Sequence, residues 1–234
     1  MTPRESKAAL ALLADDAEDT IRWSLRRSSG SFESRRFQLL ETGSALVAYY
    51  SEGSAALAVD FYDESRSASP ASGRFAAAPV ILDRTVKIRR GFAWASEPLS
   101  VDDDAAAAAR LTELMRSEVN RPYRDTVIGN TRRDPASAGW KRIASASACG
   151  FCKALASKGA VYKEATADFG AHNSCGCTCA PVFKGGEMGP EADVMQYMAS
   201  RKNRNLSPAQ RERVREWVKE FETEPRPHIK TSSL

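Results

Sequence analysis

The sequence predicts a mainly helical protein that closes on a small α+β module toward its C-terminal end. Three observations carry that expectation. Apolar residues recur at helical spacing from Leu10 to Tyr62, a strong helix start stands at Ser100–Asp104, and all five cysteines crowd between Cys149 and Cys179. At 234 residues the chain can form one large domain or two small ones. The expected division is a helical region over 1–64, a linker with short β-type segments over 65–98, a cysteine-bearing module over 99–187, and C-terminal helices and a tail over 188–234.

From Pro3 to about Leu25, the residues Leu10, Leu13, Ala14, Ala17, Ile21 and Leu25 form one stripe. A second helix is expected from Phe32 to Tyr50, with Phe37, Leu40, Leu46 and Val47 turned inward. Ser51-Glu52-Gly53 reads as a break before a third segment, Ala55–Glu64, carrying Leu57, Val59, Phe61 and Tyr62. The run Ser65–Ala78 is rich in Ser, Ala, Pro and Gly, which marks a linker. Val80–Leu82 and Val86–Ile88 are short β-type runs, and Phe92 and Trp94 read as packing residues.

Ser100-Val101-Asp102-Asp103-Asp104 places a cap and acids against a helix N-terminus. Three adjacent aspartates here are a solvated first turn rather than a metal site. The helix continues through Leu111, Leu114, Met115 and Val119 until Pro122 ends or kinks it. Trp140 is expected in a core, a short helix at Lys153–Ser157, and a strand at Ala160–Tyr162. Farther on, Ser207, Pro208 and Gln210 form a capping box before an apolar stripe of Val214, Trp217, Val218 and Phe221. Its other face carries Arg211, Arg213, Arg215 and Lys219, interleaved with glutamates, and reads first as a solvated face.

The cysteine run carries the chemistry. Cys149 and Cys152 stand as C-x2-C, and after a gap of 19 residues come His172, Cys175, Cys177 and Cys179 as H-x2-C-x-C-x-C. Two short thiol-bearing turns are what tetrahedral Zn²⁺ requires, with Zn–S near ~2.3 Å. Cys175 and Cys177 would lie roughly 7 Å apart on an extended chain. Gly176 between them permits the bend that brings both to one ion; without it, His172 or Cys179 supplies the fourth ligand. The first choice is Cys149, Cys152, Cys175 and Cys177, with His172 as the leading substitute. The expected fold class is therefore mainly α with a small α+β, zinc-stapled C-terminal module, α+β overall.

Competing readings are weaker. Disulfides need an oxidising compartment, whereas the N-terminal stretch MTPRESKAALALLADD lacks an apolar signal core. A redox C-x2-C does not bring a second Cys/His cluster with it. Catalytic zinc is disfavoured too. His172 is followed by Asn173-Ser174 rather than x-Glu, Ala148 rather than proline precedes Cys149, and there is no H-E-x2-H. The expected cofactor is a structural Zn²⁺, and no catalytic constellation is visible.

The same stretch resembles a family. His172-Asn173-Ser174-Cys175-Gly176-Cys177, followed by Pro181 and Val182, is similar to the most specific mark of the Mu F-like minor head proteins of tailed bacteriophages. Cys149-Gly150-Phe151-Cys152, Leu155-Ala156-Ser157 and Gly159-Ala160-Val161-Tyr162 resemble segments of the actinophage-type branch. So do Arg124-Asp125-Thr126-Val127 and Asp134-Pro135, with Gly139-Trp140-Lys141-Arg142 behind them. The likeness spans roughly residues 100 to 185; Gly176 stands where a bulky polar residue is usual, and Cys179 is additional. The resemblance implies a minor capsid protein of the virion, inside the phage head at the portal vertex. It implies portal protein as partner, with scaffold or major capsid protein, and a role in head morphogenesis, DNA packaging or DNA ejection.

Composition allows but does not demand other classes. Net charge is +4, with 42% apolar and 27% charged residues, and no run reaches the roughly 18 apolar residues of a membrane span. A DNA-binding zinc protein, touching packaged DNA through the basic C-terminal helix, is the first alternative. A zinc-dependent enzyme or toxin is the second, with Glu164 and Asp168 the only acids between the two ligand groups.

Overall fold

The computed structural model describes residues 1–144, 148, 150–157, 169 and 176–186, and the single positions 208, 209, 212, 216 and 219. Within these the order is α1 (Pro3–Arg27), α2 (Phe32–Ser67), α3 (Thr85–Ala95), α4 (Asp104–Arg133), β1 (Ser137–Ile143), α5 (Gly150–Ser157) and β2 (Thr178–Phe183). A 3-10 turn, Glu97–Val101, joins α3 to α4. The fold is mainly helical, with one two-stranded antiparallel sheet. No helix among the described residues is long and apolar enough to cross a membrane.

Helix α1 starts with a complete capping box. Thr2 Oγ1 accepts from the Glu5 amide at 3.2 Å while the Glu5 carboxylate accepts from the Thr2 amide at 2.7 Å, with Pro3 at the first position. Its buried stripe includes Leu10, Ala14, Ala17, Ile21 and Leu25, as the periodicity requires. Glu18 on the same helix is buried as well and is met by Arg22 and by Arg116 of α4.

Helix α2 does not break at Ser51-Glu52-Gly53; it runs unbroken from Phe32 to Ser67. An interior glycine costs about 1 kcal/mol relative to alanine. Burying Tyr50, Phe61 and Tyr62 outweighs that, at roughly 1.5–3 kcal/mol for each large side chain. Ser54 adds a hydrogen bond from its hydroxyl to the Val119 carbonyl of α4 at 2.6 Å. Helix α4 likewise continues through Pro122 to Arg133. Pro122 is buried between Val119 and Tyr123, so tertiary packing carries the helix past the lost backbone bond.

Two packing expectations are corrected. Phe37 is 64% exposed, because it lies two residues, about 200° of helix, from the inward Leu39. Trp94 is 46% exposed and lies under the Arg110 guanidinium at 4.6 Å, whereas Phe92 beside it is fully buried.

The segment between α2 and α3 is held against the helices. Arg66 donates to the carbonyls of Ser72 and Gly73, and the Asp63 carboxylate accepts from the Ala77 amide. The Asn130 side chain pairs with both the N–H and the C=O of Ala78, and Thr126 Oγ1 accepts from the Val80 amide. Side chains of α4 thus supply backbone partners to Ala78 and Val80, and the expected strand at Val80–Leu82 does not form. Val86–Ile88 is part of α3.

The core has two main parts. One joins Ala14, Ile21, Leu39, Val47, Phe92, Leu111 and Met115 inside the helices. The other joins Leu10, Phe61, Tyr62, Tyr123 and Val127 to Trp140, Cys179, Ala180 and Phe183 of the sheet. The sheet is therefore packed on the end of the bundle. The expected strand at Ala160–Tyr162 and helix near Pro190 lie outside the described residues. Of the expected helix at Ser207, the described positions are Pro208, Ala209, Glu212, Glu216 and Lys219, all helical.

The two α2 glycines separate opposing effects. A Cβ on Gly43 would stand 2.3 Å from the buried Phe92 ring, while one on Gly53 would meet only Leu13 methyls at 3.6 and 3.7 Å. Gly43→Ala is expected to lower stability, since overpacking costs about 1–3 kcal/mol against about 1 kcal/mol of helix propensity gained. Gly53→Ala is expected to raise it by about 0.5–1 kcal/mol. Urea unfolding midpoints of the two variants, with m unchanged, check the opposite signs.

Candidate metal centre

The site is built where α4, the sheet and α5 meet. The chain leaves α4 at Asp134, whose side chain is fully buried and bonded to Arg66 Nε at 2.8 Å and to the Tyr62 hydroxyl at 3.2 Å. Its other oxygen accepts from the Ala136 amide. Burial, together with the Asp134 charge, pushes the Tyr62 phenol well above its usual range, so the hydroxyl stays a donor. This turn launches β1 antiparallel to β2, with Trp140 opposite Pro181 and Arg142 opposite Cys179.

Along β1, Trp140 and Arg142 are the buried positions, at the two-residue period of a strand face. Arg142 Nη1 lies 3.8 Å from Cys152 Sγ, at hydrogen-bond reach for sulfur. Arg124, buried on α4, donates from Nε to the Cys177 carbonyl at 2.9 Å. Both guanidinium carbons stand over the ring of Phe169, at 3.8 Å for Arg142 and 4.6 Å for Arg124. The Trp140 ring meets the same phenylalanine at 5.6 Å between centroids.

Cys152 and Cys177 share one small buried cluster, with Ala144, Ala148 and Phe169 packed against it. These two sulfurs come from the two separate runs in which the sequence places its ligands. Cys152 sits in the first turn of α5, where helix N–H groups favour negative charge. Cys177 lies just before β2. Cys149, His172 and Cys175 lie outside the described residues, as do Glu164 and Asp168. The described part of the donor set fits a thiophilic cation: two buried sulfurs from distant segments, with a guanidinium donor on one of them.

Cys179 belongs elsewhere. Its thiol donates to the Arg124 carbonyl at 3.8 Å and packs in the core with Trp140 and Phe183. Burial pushes that thiol up to about 12, against the opposing pull of Arg124 and Arg142, so it is neutral at ordinary pH.

Sequence reasoning singled out neither Arg124 nor Arg142 as a chemical group, and passed over Phe169. One signal was present: Arg142 follows the core residue Trp140 at the period of a strand, placing a charge on an inward face, where it requires a partner.

The fold and the site together define a helical protein with a small, arginine-flanked cysteine centre at one end. A family model described as VG15 protein matches residues 4–202, and the chain belongs to that family, a phage-type one. The match spans the helices and the cysteine run alike. No curated protein and no solved structure matches the chain.

The two environments give distinct expectations for the thiols. Cys179→Ala should leave metal content unchanged, and Cys179 in the folded protein should resist iodoacetamide at pH 8 because it is fully buried. Metal analysis and peptide mass mapping check both points; loss of metal in Cys179→Ala would place its sulfur among the ligands.

Proposed function

We propose that the protein is a minor capsid protein of a tailed bacteriophage, of the Mu F-like type. It is carried inside the head at the portal vertex and aids head assembly and DNA packaging or ejection. The observation that carries this reading is membership of a phage-type family over residues 4–202. The motif residues behind the Mu F resemblance support it, because Arg142 and Arg124 contact Cys152 and Cys177 and Trp140 meets the Phe169 ring packed beside them.

In this reading Cys149, Cys152, Cys175 and Cys177 hold a structural Zn²⁺, with His172 as the substitute ligand. Bound, the cation supplies a tetrahedral cross-link whose binding free energy is folding free energy for the module. Among the described residues, Ala144, Ala148 and Phe169 pack beside the two sulfurs. Four protein ligands would leave no open position for water, so the centre in this reading is structural rather than catalytic. The N-terminal helices α1 and α2 offer the contact surface for portal, scaffold or major capsid protein. Packaged DNA meets the basic C-terminal helix.

Two measurements test this. Purified protein should carry about one zinc ion per chain, and Cys152→Ser or Cys177→Ser should lose it and melt the module while α1–α4 persist in circular dichroism. Zinc-free wild type would end the metal reading. Mass spectrometry of purified virions and procapsids should find the protein in heads, in few copies; heads that lack it would end the capsid reading.

A further inference from the structure

We propose that Arg124 and Arg142 are positioning residues of the cysteine centre, whose fixed positive charges offset the buried thiolates that hold the cation. This rests on the metal reading above and deepens it.

The argument starts from desolvation. Ionised sulfur is costly to bury, and a cation bound by three or four thiolates still leaves the group anionic. Such a centre therefore needs positive charge that cannot be shed. Guanidinium meets the need, since it stays protonated at any pH a protein tolerates. Arg124 is 6% exposed and Arg142 4%, so each acts through a medium that screens little.

Their contacts are divided between the two ligand runs. Arg142 reaches the sulfur of Cys152 at 3.8 Å, the N–H···S contact by which an outer residue steadies a thiolate. Arg124 instead grips the backbone of the other run, through the Cys177 carbonyl at 2.9 Å. Phe169 lies under both guanidinium groups, and its π-face favours cations there. One residue thus tunes a sulfur and the other fixes where the second sulfur stands. Both are anchored outside the cysteine runs, on β1 and α4, so their positive charge is brought to the ligand runs by the bundle and the sheet.

The test is zinc affinity of the full chain, measured by competition with a chromophoric chelator. Arg142→Gln and Arg124→Gln should each weaken binding by roughly 10–100-fold, the usual effect of losing an outer partner of a metal ligand. Arg142→Lys should recover part of that loss, because charge returns without the planar fork. Arg36→Gln, whose guanidinium lies over Phe32 of α2, should match wild type. Saturated with Co²⁺, Arg142→Gln should keep the thiolate charge-transfer absorption of the wild type, showing the ligands intact. Glutamine variants that bind zinc as tightly as wild type would overturn the inference while leaving the metal centre standing. Wild type that takes up no zinc would overturn the metal reading itself. Should Arg142→Gln fail to fold by circular dichroism, Arg124→Gln decides by the same loss or the same indifference.

Discussion

The buried carboxylate of Asp134 is the constraint on which the rest of the molecule depends. It sits where α2, the segment after α2, the end of α4 and the start of β1 come together. Arg66 neutralises it and spends its remaining donors on the carbonyls of Ser72 and Gly73. A fully buried carboxylate without that partner would cost about 3–5 kcal/mol. The pair therefore acts more as a register device than as a source of net stability. It fixes where β1 leaves the bundle, and β1 in turn fixes Trp140 and Arg142. The cysteine centre inherits its geometry from an ion pair that never touches it.

From that anchor the two arginines follow as a matter of alternation and helix phase. Arg142 is two residues past Trp140 on the strand, and Arg124 follows Tyr123 on α4, where both side chains are buried. Neither could be turned outward without also turning out a large aromatic residue that the core holds. Their charges are thus imposed on the cysteine cluster by packing, and the cluster has to be a place where positive charge is welcome. Aromatic faces supply part of that welcome through Phe169. Sulfur supplies the other part.

How legible this was depended on the range of the determining contacts. The α1 stripe, the start of α4 and the burial of Trp140 were readable because each depends on residues within a turn or two. Gly53 and Pro122 misled for the opposite reason. Their local cost is real, but α2 and α4 pack along each other, with Ser54 just past Gly53 bonded to Val119 just before Pro122. Val80–Leu82 has strand-like residues, yet the partners along this stretch are side chains, Asn130 for Ala78 and Thr126 for Val80, which no periodicity reveals. Phe37 and Trp94 were misplaced because aromatic character was weighed above helical phase. At the centre, spacing singled out both Cys152 and Cys177, which share one buried cluster. The arginines were visible only as members of motifs, because charge at an inward position has no meaning until the strand face is known.

The third described sulfur shows why spacing alone could not sort the cysteines. Cys177 and Cys179 are two residues apart, which on a continuous strand would put them on one face. Yet Cys177 joins Cys152 and Cys179 joins the bundle core. The difference lies in where pairing begins: β2 starts at Thr178, so Cys179 is locked opposite Arg142 while Cys177 precedes the ladder and is free of its alternation. Arg124 enforces the division from below, taking the Cys177 carbonyl with its side chain and the Cys179 thiol with its own carbonyl. A single residue of α4 thus separates the sulfur that packs with Cys152 from one kept neutral by burial. The boundary between bundle and cysteine centre runs through that arginine.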